Sequence, residues 1–569
     1  MERQAAGLTG LLSLALMFSL PFIIPHHVGP STNFYNEWTA LVFGLAGIAS
    51  LAVCGRGAVG IPLATILPLG LAILLLPQWL AGKISYPSQA GLASLYLFWG
   101  AALMQATRKL HAGFAPEKTG LVLASAILCA SLLNFASAHF QYWNMTQQVP
   151  AVISPYQGGG AYGNLMQPNH LANLLALGLC STLYLYFAHR LRGIFALAIT
   201  ALMLLGMAYS GSRGPWLYLV ALLFMSLLIR HWHPDQRTRR MVLGVLLAIP
   251  AYLLLQILLM NAGTGTSALE RMHSANPFEI RWTLWRAAFL MWLQSPLMGV
   301  GYHGFSWEIF SRGAGQAYGT DSLTGVPYDH AHNILAQLAA EFGIGGMLLV
   351  GFAGWLAWRN VRRPMSAEKW WAWTSLSVMA IHSLLEAPLW YAYFWGPTAV
   401  WLALGDDTKT TLRLGWLQQP VVLAGILTGA AVLAAQWQTY PHLATLYRHY
   451  PEHLSAETLK KLYPHLESVS ANTLFVPQLE AYYGMIPLNL VDPKLLPTLA
   501  EWNGRASHHL ATAPLVYRQA LFQCISGSTG NASKILKNAV QVYPSYLPHF
   551  RYVLANNQSI PFQCRHMAE

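Results

Sequence analysis

Charge is what this chain most lacks. Of its 569 residues only 9% are Asp, Glu, Lys or Arg, against about 25% in an ordinary soluble domain. So few charges do not coat a soluble surface, which excludes a cytosolic enzyme of the usual kind. Cysteine is scarce too, five in all, too few for a disulfide-built secreted module. A hydrophobic fraction of 55% excludes a disordered chain. Several signatures are missing: there is no Walker-type loop and no G-x-S-x-G, and no βαβ pattern surrounds the Gly158-Gly159-Gly160 triplet.

What is there is apolar sequence in long blocks. About thirteen stretches of roughly 17–22 residues are long enough as helices to cross a hydrocarbon core ~30 Å thick. They run over 8–25, 38–54, 60–77, 89–107, 119–138, 168–188, 193–209, 214–230, 241–259, 333–357, 370–386, 389–404 and 420–437. The first is kept as a helix rather than a signal peptide, because no A-x-A-like cleavage site follows it and further spans do. The expected fold is an all-α polytopic membrane protein with about 12–13 transmembrane helices.

The remaining charges give an orientation. Seventeen Lys and Arg lie in the N-terminus and the loops of one side, and only Lys83, Arg213, Arg271, Arg281, Arg286 and Arg312 lie in the opposite loops before the tail. The positive-inside rule then puts the N-terminus in the cytoplasm and, after an odd number of spans, residues 438–569 outside. The net charge of +12 reads as a topology signal, and no nucleic-acid partner is expected. The domain division is 1–437 in the membrane, with a long external loop at 260–332, and 438–569 as an external helical domain. In that domain Ala513–Val542, broken at Gly527 to Gly530, has the spacing of one tetratricopeptide-like helix pair. Cys524 and Cys564 both lie there and pair if the compartment is oxidising. Within the loop, Arg281, Trp282, Trp285, Arg286, Trp292 and Leu293 suit a helix lying at the lipid interface, so membrane lipids are expected partners.

Polar residues in or beside a bilayer are functional candidates by default, because burying them is costly. Four clusters stand out, all on the external side. In Asp329-His330-Ala331-His332-Asn333, followed by Gln337 and Glu341, the last three polar positions recur every four residues as one helical stripe. His332 stands at that helix's N-terminus, where the helix dipole favours a neutral imidazole able to take a proton. The structural alternative is that Asp329 caps the helix and the stripe only binds neighbouring helices. Ser210 to Pro215 is a tight turn with Arg213 beside a helix start, suited to a phosphate or to lipid headgroups. With Arg281 and Arg286 it would hold a pyrophosphate. In Gly163 to His170, Pro168 starts a helix, and Asn169 and Asn173 share its face, suited to sugar hydroxyls, positioning or capping. His382 and Glu386 stand one helical turn apart and satisfy each other or a ligand. Four of these residues (His330, His332, His382 and Glu386) have metal-ligand chemistry, but no established zinc spacing is present and no metal is expected.

In this order the clusters resemble the O-antigen ligase and polymerase superfamily of bacterial inner-membrane glycosyltransferases. The pattern matches at Ser212-Arg213-Gly214, at Arg281 with Trp285 and Pro296-Leu297-Met298-Gly299-Val300-Gly301, and at His332-Asn333 with Glu341-Phe342-Gly343. Phe34 to Trp38, Gly163 to His170 and the His382–Tyr393 segment, ending Pro388 to Tyr393, resemble the protein O-oligosaccharyltransferases, the pilin-glycosylation ligases. The resemblance implies a GT-C-like architecture and transfer of a preassembled glycan from an undecaprenyl-pyrophosphate-linked oligosaccharide donor to a Ser or Thr hydroxyl of a periplasmic acceptor such as a pilin. It implies no metal or other cofactor. It points to the bacterial inner membrane, with the active site and tail periplasmic. His332 is then the catalytic base, and Arg213, Arg281 and Arg286 bind the donor pyrophosphate. Asn169, His170, Asp329, Asn333, Gln337, Glu341, His382 and Glu386 are supporting polar groups. A lipopolysaccharide O-antigen ligase acting on lipid A-core is the alternative, with the same catalytic groups. A transporter is disfavoured because the polar residues crowd one face and no inverted repeat is visible.

Overall fold

The computed structural model describes residues 2–53, 60–113, 116–261, 277–312, 325, 327–407 and 418–568. Arg56, Arg271, Lys409, Arg413, Cys54 and much of the expected 260–332 loop lie outside the described residues. All regular structure among the described residues is helical, as expected of a polytopic all-α membrane protein. Eight described segments are long and apolar enough to cross a membrane: Gln4–Ile23, Leu63–Leu80, Lys118–Tyr142, Pro168–Phe187, Gly214–Trp232, Gln236–Met260, Ile334–Val361 and Pro420–Tyr447.

The other five apolar stretches of the sequence also form helices, but fall short of that standard. Gly193–Tyr209 and Ala367–Ser383 have 17 residues each and Ala392–Gly405 has 14, too short at ~1.5 Å per residue for a full ~30 Å core. Phe34–Val53 opens on Asn36 and Glu37, and Pro87–Gly113 runs out through Arg108, Lys109 and His111, which dilutes their hydropathy.

The chain divides into two compact units. The first comprises Met1–Gly70, Tyr96–Ala275 and Gly351–Leu433. Its hub is the Pro168–Phe187 helix, 94% of whose span is buried, against 28% for Gln236–Met260. It packs against Pro116–Tyr142, Gly193–Tyr209, Gly214–Trp232 and Ala367–Ser383. Proline at its first position costs no hydrogen bond there and fixes the helix start. His170 and Asn173 are thereby buried within the helix bundle, with Asn169 half-buried at the helix start. Lower down, Trp371 seats the hub by stacking on Tyr184 (centroids 5.5 Å apart) and donating Nε1–H to Ser181 Oγ at 3.0 Å.

The second unit comprises Leu71–Leu95, Asn276–Val350 and Ala434–Glu569. It therefore groups the tail with two earlier segments of the chain. One apolar core contains Leu284, Ala288 and Met291 of the Pro277–Gln294 helix together with Val516, Tyr517 and Leu521 of the tail. Hydrogen bonds seal the junction: Ala511 N–H to Ser306 Oγ (3.1 Å), Asn538 Nδ2–H to Ser311 O (2.8 Å) and Tyr86 O–H to Glu480 Oε2 (2.7 Å). The opposite face of Pro277–Gln294 exposes Trp282, Phe289 and Leu293, the amphipathic division expected of an interfacial helix. In the tail, Val476–Met485, Leu496–His509, Ala513–Ile525 and Thr529–Val542 pack in succession, with Gly527 at φ +81° turning the last pair. Cys524 and Cys564 form a disulfide.

Candidate functional site

In the first unit the site grows from the start of the hub helix. Asn169 Nδ2 donates to Glu386 Oε1 at 2.7 Å, and Asn169 Oδ1 accepts from Ser212 Oγ at 2.6 Å. Ser212 Oγ in turn accepts from Gly214 N–H at 3.1 Å. Ser212 and Glu386 are buried, 4% and 7% exposed, and Asn169 between them is half-buried. Arg213 sits between the two bonded residues, at the head of the Gly214–Trp232 helix whose second residue is Pro215, as the sequence pattern anticipates. Gly214 has a packing reason: a Cβ there would come 2.7 Å from the Tyr218 hydroxyl. That hydroxyl lies 2.8 Å from His382 Nδ1, both buried. His170 meets the edge of the His382 ring at 5.5 Å between centroids, and its Nδ1 is 3.4 Å from Tyr393 OH.

One expectation is corrected here. His382 and Glu386 do not form a pair on one helical face, because the helix ends at Ser383. Their link is a backbone bond, Glu386 N–H to His382 O at 2.8 Å, while the side chains turn to Tyr218 and Asn169.

In the second unit Asp329 to Asn333 form a loop that leads into the Ile334–Val361 helix. Asn333, not Asp329, is the cap: its Oδ1 accepts from Leu335 N–H (3.0 Å) and, more weakly, Ala336 N–H (3.4 Å). Asp329 instead pairs with His330 at 3.1 Å. Asn333 thus stands before the helix rather than on it, and the expected three-residue stripe shortens to Gln337 and Glu341. Gln337 Oε1 accepts from Ala331 N–H at 2.6 Å and pins the loop. The rings of His330 and His332 are 4.2 Å apart. His332 has φ +49°, a left-handed conformation uncommon for a side chain of this size and found most often where a site requires it. Arg281 and Arg286 are on the amphipathic Pro277–Gln294 helix, Arg281 half-buried and Arg286 exposed.

The glycines around this loop are structural. Val300 N–H donates to Ala340 O (2.8 Å) and Ile344 N–H to Pro296 O (2.7 Å), so the Pro296–Gly301 turn lies directly on the helix backbone. Gly299 (φ +70°) has no room for a Cβ, which would overlap the Glu341 carbonyl, and at Gly343 (φ +60°) a Cβ would lie 2.5 Å from Pro296 O. Gln78 Nε2 donates to the Glu341 and Met298 carbonyls at 2.7 and 2.8 Å, and Lys83 Nζ donates to Ser295 Oγ at 3.0 Å.

Sequence reasoning missed the scaffold of the first unit. Gln141 Oε1 accepts from the N–H groups of Tyr162 and Gly163, and Asn134 Oδ1 from that of Asn164. Asn164 is a scaffold group as well, with its amide bonded to the carbonyls of Ile23 and Val152. The available signal was an uncharged amide in or beside an otherwise apolar span. Also missed were His303 and His509, whose rings lie 4.5 Å apart in the second unit. Burial pushes both imidazoles down, to about 3 and about 4.

Three family models match the chain. A protein glycosylation ligase model matches residues 161–186, the segment that carries Asn169 and His170. An O-antigen ligase model matches 198–351, which holds Arg213, Arg281, Arg286 and His332. A model described as virulence factor membrane-bound polymerase, C-terminal, matches 370–557, covering His382, Glu386 and most of the tail. A general O-oligosaccharyltransferase of Acinetobacter baylyi (strain ATCC 33305 / BD413 / ADP1) is 27% identical over 447 residues, which is 76% of this chain and 75% of that protein. Each candidate site residue falls inside one of the matched segments. The chain resembles the O-antigen ligase superfamily and, within it, the protein O-oligosaccharyltransferases.

Proposed function

We propose that this protein is an O-linked oligosaccharyltransferase that moves a preassembled glycan from an undecaprenyl-pyrophosphate carrier to a Ser or Thr hydroxyl of a periplasmic protein such as a pilin. The observation that carries this reading is the similarity to a general O-oligosaccharyltransferase over three quarters of both chains. The match at 161–186 to a protein glycosylation ligase supports a protein acceptor over lipid A-core. The disulfide of the tail supports an oxidising compartment outside the inner membrane.

In this scheme His332 takes the proton of the acceptor hydroxyl as its oxygen attacks the anomeric carbon. The bond from that carbon to the pyrophosphate oxygen breaks, and the lipid pyrophosphate leaves with the bonding pair. Displacement in one step inverts the anomeric configuration. Arg213, Arg281 and Arg286 carry the charge that develops on the leaving group, and no metal ion is assigned a part. The left-handed backbone of His332 supports its role, since strain of this kind is held where a side chain must be aimed.

The test is intact-mass spectrometry of a pilin co-expressed with a lipid-linked glycan pathway and either this protein or a variant. Wild type is expected to add glycan mass to serine, and His332→Ala to add none while accumulating normally in membranes. Arg213→Lys keeps charge but loses the planar fork, so transfer should fall roughly a hundredfold. Glycan mass with His332→Ala would remove His332 as the base. Glycan on lipid A-core with none on protein would replace the reading with a lipopolysaccharide ligase, which the O-antigen ligase match at 198–351 favours.

A further inference from the structure

The bonds at the head of the hub helix form one chain with a fixed polarity. At one end the Gly214 backbone N–H can only donate. It donates to Ser212 Oγ (3.1 Å), and the Ser212 hydroxyl donates to Asn169 Oδ1 (2.6 Å). With its oxygen committed, the Asn169 amide presents Nδ2–H to Glu386 Oε1 (2.7 Å). With Glu386 ionised its carboxylate can only accept, so the Glu386 end sets the orientation of the Asn169 amide and, through its oxygen, of the Ser212 hydroxyl. The chain joins three segments distant in sequence: the turn after Tyr209, the start of the Pro168–Phe187 helix, and the stretch after Ser383. Arg213 lies inside the first of these, flanked by Ser212 and Gly214, the two residues the chain holds.

We infer that Asn169 and Glu386 are positioning residues, which act through Ser212 to hold the Arg213 turn in the conformation that receives the anionic part of the donor. The inference rests on the reading of Arg213 as a pyrophosphate-binding group. Its own content is the polarity of the chain. Glu386 matters as an acceptor at the end of the chain, and Asn169 as the one side chain able to donate to a carboxylate while accepting from a serine.

Polarity makes a reciprocal exchange the deciding experiment. Asn169→Asp sets two carboxylates against each other, removes the donor and releases the turn. Glu386→Gln alone keeps an acceptor oxygen and is expected to be mild. In the double variant, Asn169→Asp with Glu386→Gln, the amide now at position 386 donates to the carboxylate now at position 169. That carboxylate still accepts from Ser212, so the chain reforms with its charge moved from one side chain to the other. In the lipid-linked donor assay Asn169→Asp should raise the donor KM and lower kcat/KM by roughly tenfold to a hundredfold, with the acceptor KM little changed. The double variant should recover most of that loss. Hydrogen exchange of the 206–216 backbone in the full-length, detergent-solubilised protein supplies a readout independent of catalysis, faster in Asn169→Asp and restored in the double variant.

Exchange restored without any change in donor KM would sink the link to the donor while leaving the chain in place. A double variant as poor as Asn169→Asp on both readouts, in protein that accumulates normally, would overturn the inference itself. A wild-type protein that transfers no glycan would count against the proposed function, and the exchange data would still decide the chain.

Discussion

The residues that matter most here act in two different ways, and the glycines show the distinction. Gly299 and Gly343 belong to the pattern by which the chain resembles glycan ligases, yet neither touches a reacting group. They let the Pro296–Gly301 turn lie on the Ile334–Val361 backbone. Gly343→Ala adds strain from positive φ to a close contact with Pro296 O, and should destabilise the folded state by about 3 kcal/mol or more. Membrane levels of the protein and protease resistance of the 296–345 region are expected to drop together. Normal levels with lost activity would mean that the glycine serves chemistry instead. At this scale the sequence was a good guide to which residue types were unusual and a poor one to their partners. His332, Arg213 and Asn169 stand out because polar groups are scarce near apolar spans. That Asn169 bonds to Glu386 and not to Asn173, or that His382 turns to Tyr218, follows from helices meeting in space.

At the scale of elements, the tail and the loop before the Ile334–Val361 helix share one apolar core, and the half-buried pair His303 and His509 lies at their junction. Burial holds both imidazoles neutral, at about 3 and about 4, whereas an unfolded histidine titrates near 6.5. His303 faces His509, while Asp329 opposes the downward shift of His509 and Tyr86 packs edge-on to its ring. Between pH ~6.5 and ~3 the unfolded junction binds more protons than the folded one, so its stability is full above that window and falls as the pH drops through it. Hydrogen exchange of the 496–525 helices in the full-length protein should accelerate from pH 7 to pH 5 after correction for the intrinsic rate. The double replacement His303→Gln, His509→Gln should flatten that dependence. A corrected slope that survives in the double variant would assign it to other groups. The disulfide works on the same elements: it ties the Ala513–Ile525 helix to the C-terminal turn, and Cys524→Ser with Cys564→Ser is expected to cost about 2–4 kcal/mol. Limited proteolysis should then clip residues 547–568 first, and unchanged resistance would show that packing alone holds them.

Across the whole molecule the asymmetric placement of Lys and Arg predicts an orientation, with the tail outside. A phosphatase fused after residue 568, active only outside the cytoplasmic membrane, should be active. The same enzyme inserted at residue 234, in the short turn between Gly214–Trp232 and Gln236–Asn261 that Arg230, Arg237, Arg239 and Arg240 flank, should be silent. The reverse pattern would invert the topology and remove the external placement of His332 and Arg213 together.

Composition and periodicity by themselves determined the class of this protein, because a hydrocarbon core leaves a helix no option but a long apolar run with its backbone bonds satisfied internally. They also marked the polar clusters, since such residues are costly where these stand. The sequence could not set which apolar helix is the hub, because a buried span and a lipid-facing one are equally apolar. Nor could it show that the tail shares an apolar core with the Pro277–Gln294 helix. Those outcomes depend on which surfaces meet, and so did the direction of each hydrogen bond around Asn169. Only the tertiary structure, which brings Asn169 within bonding distance of a residue 217 positions further along the chain, could decide them.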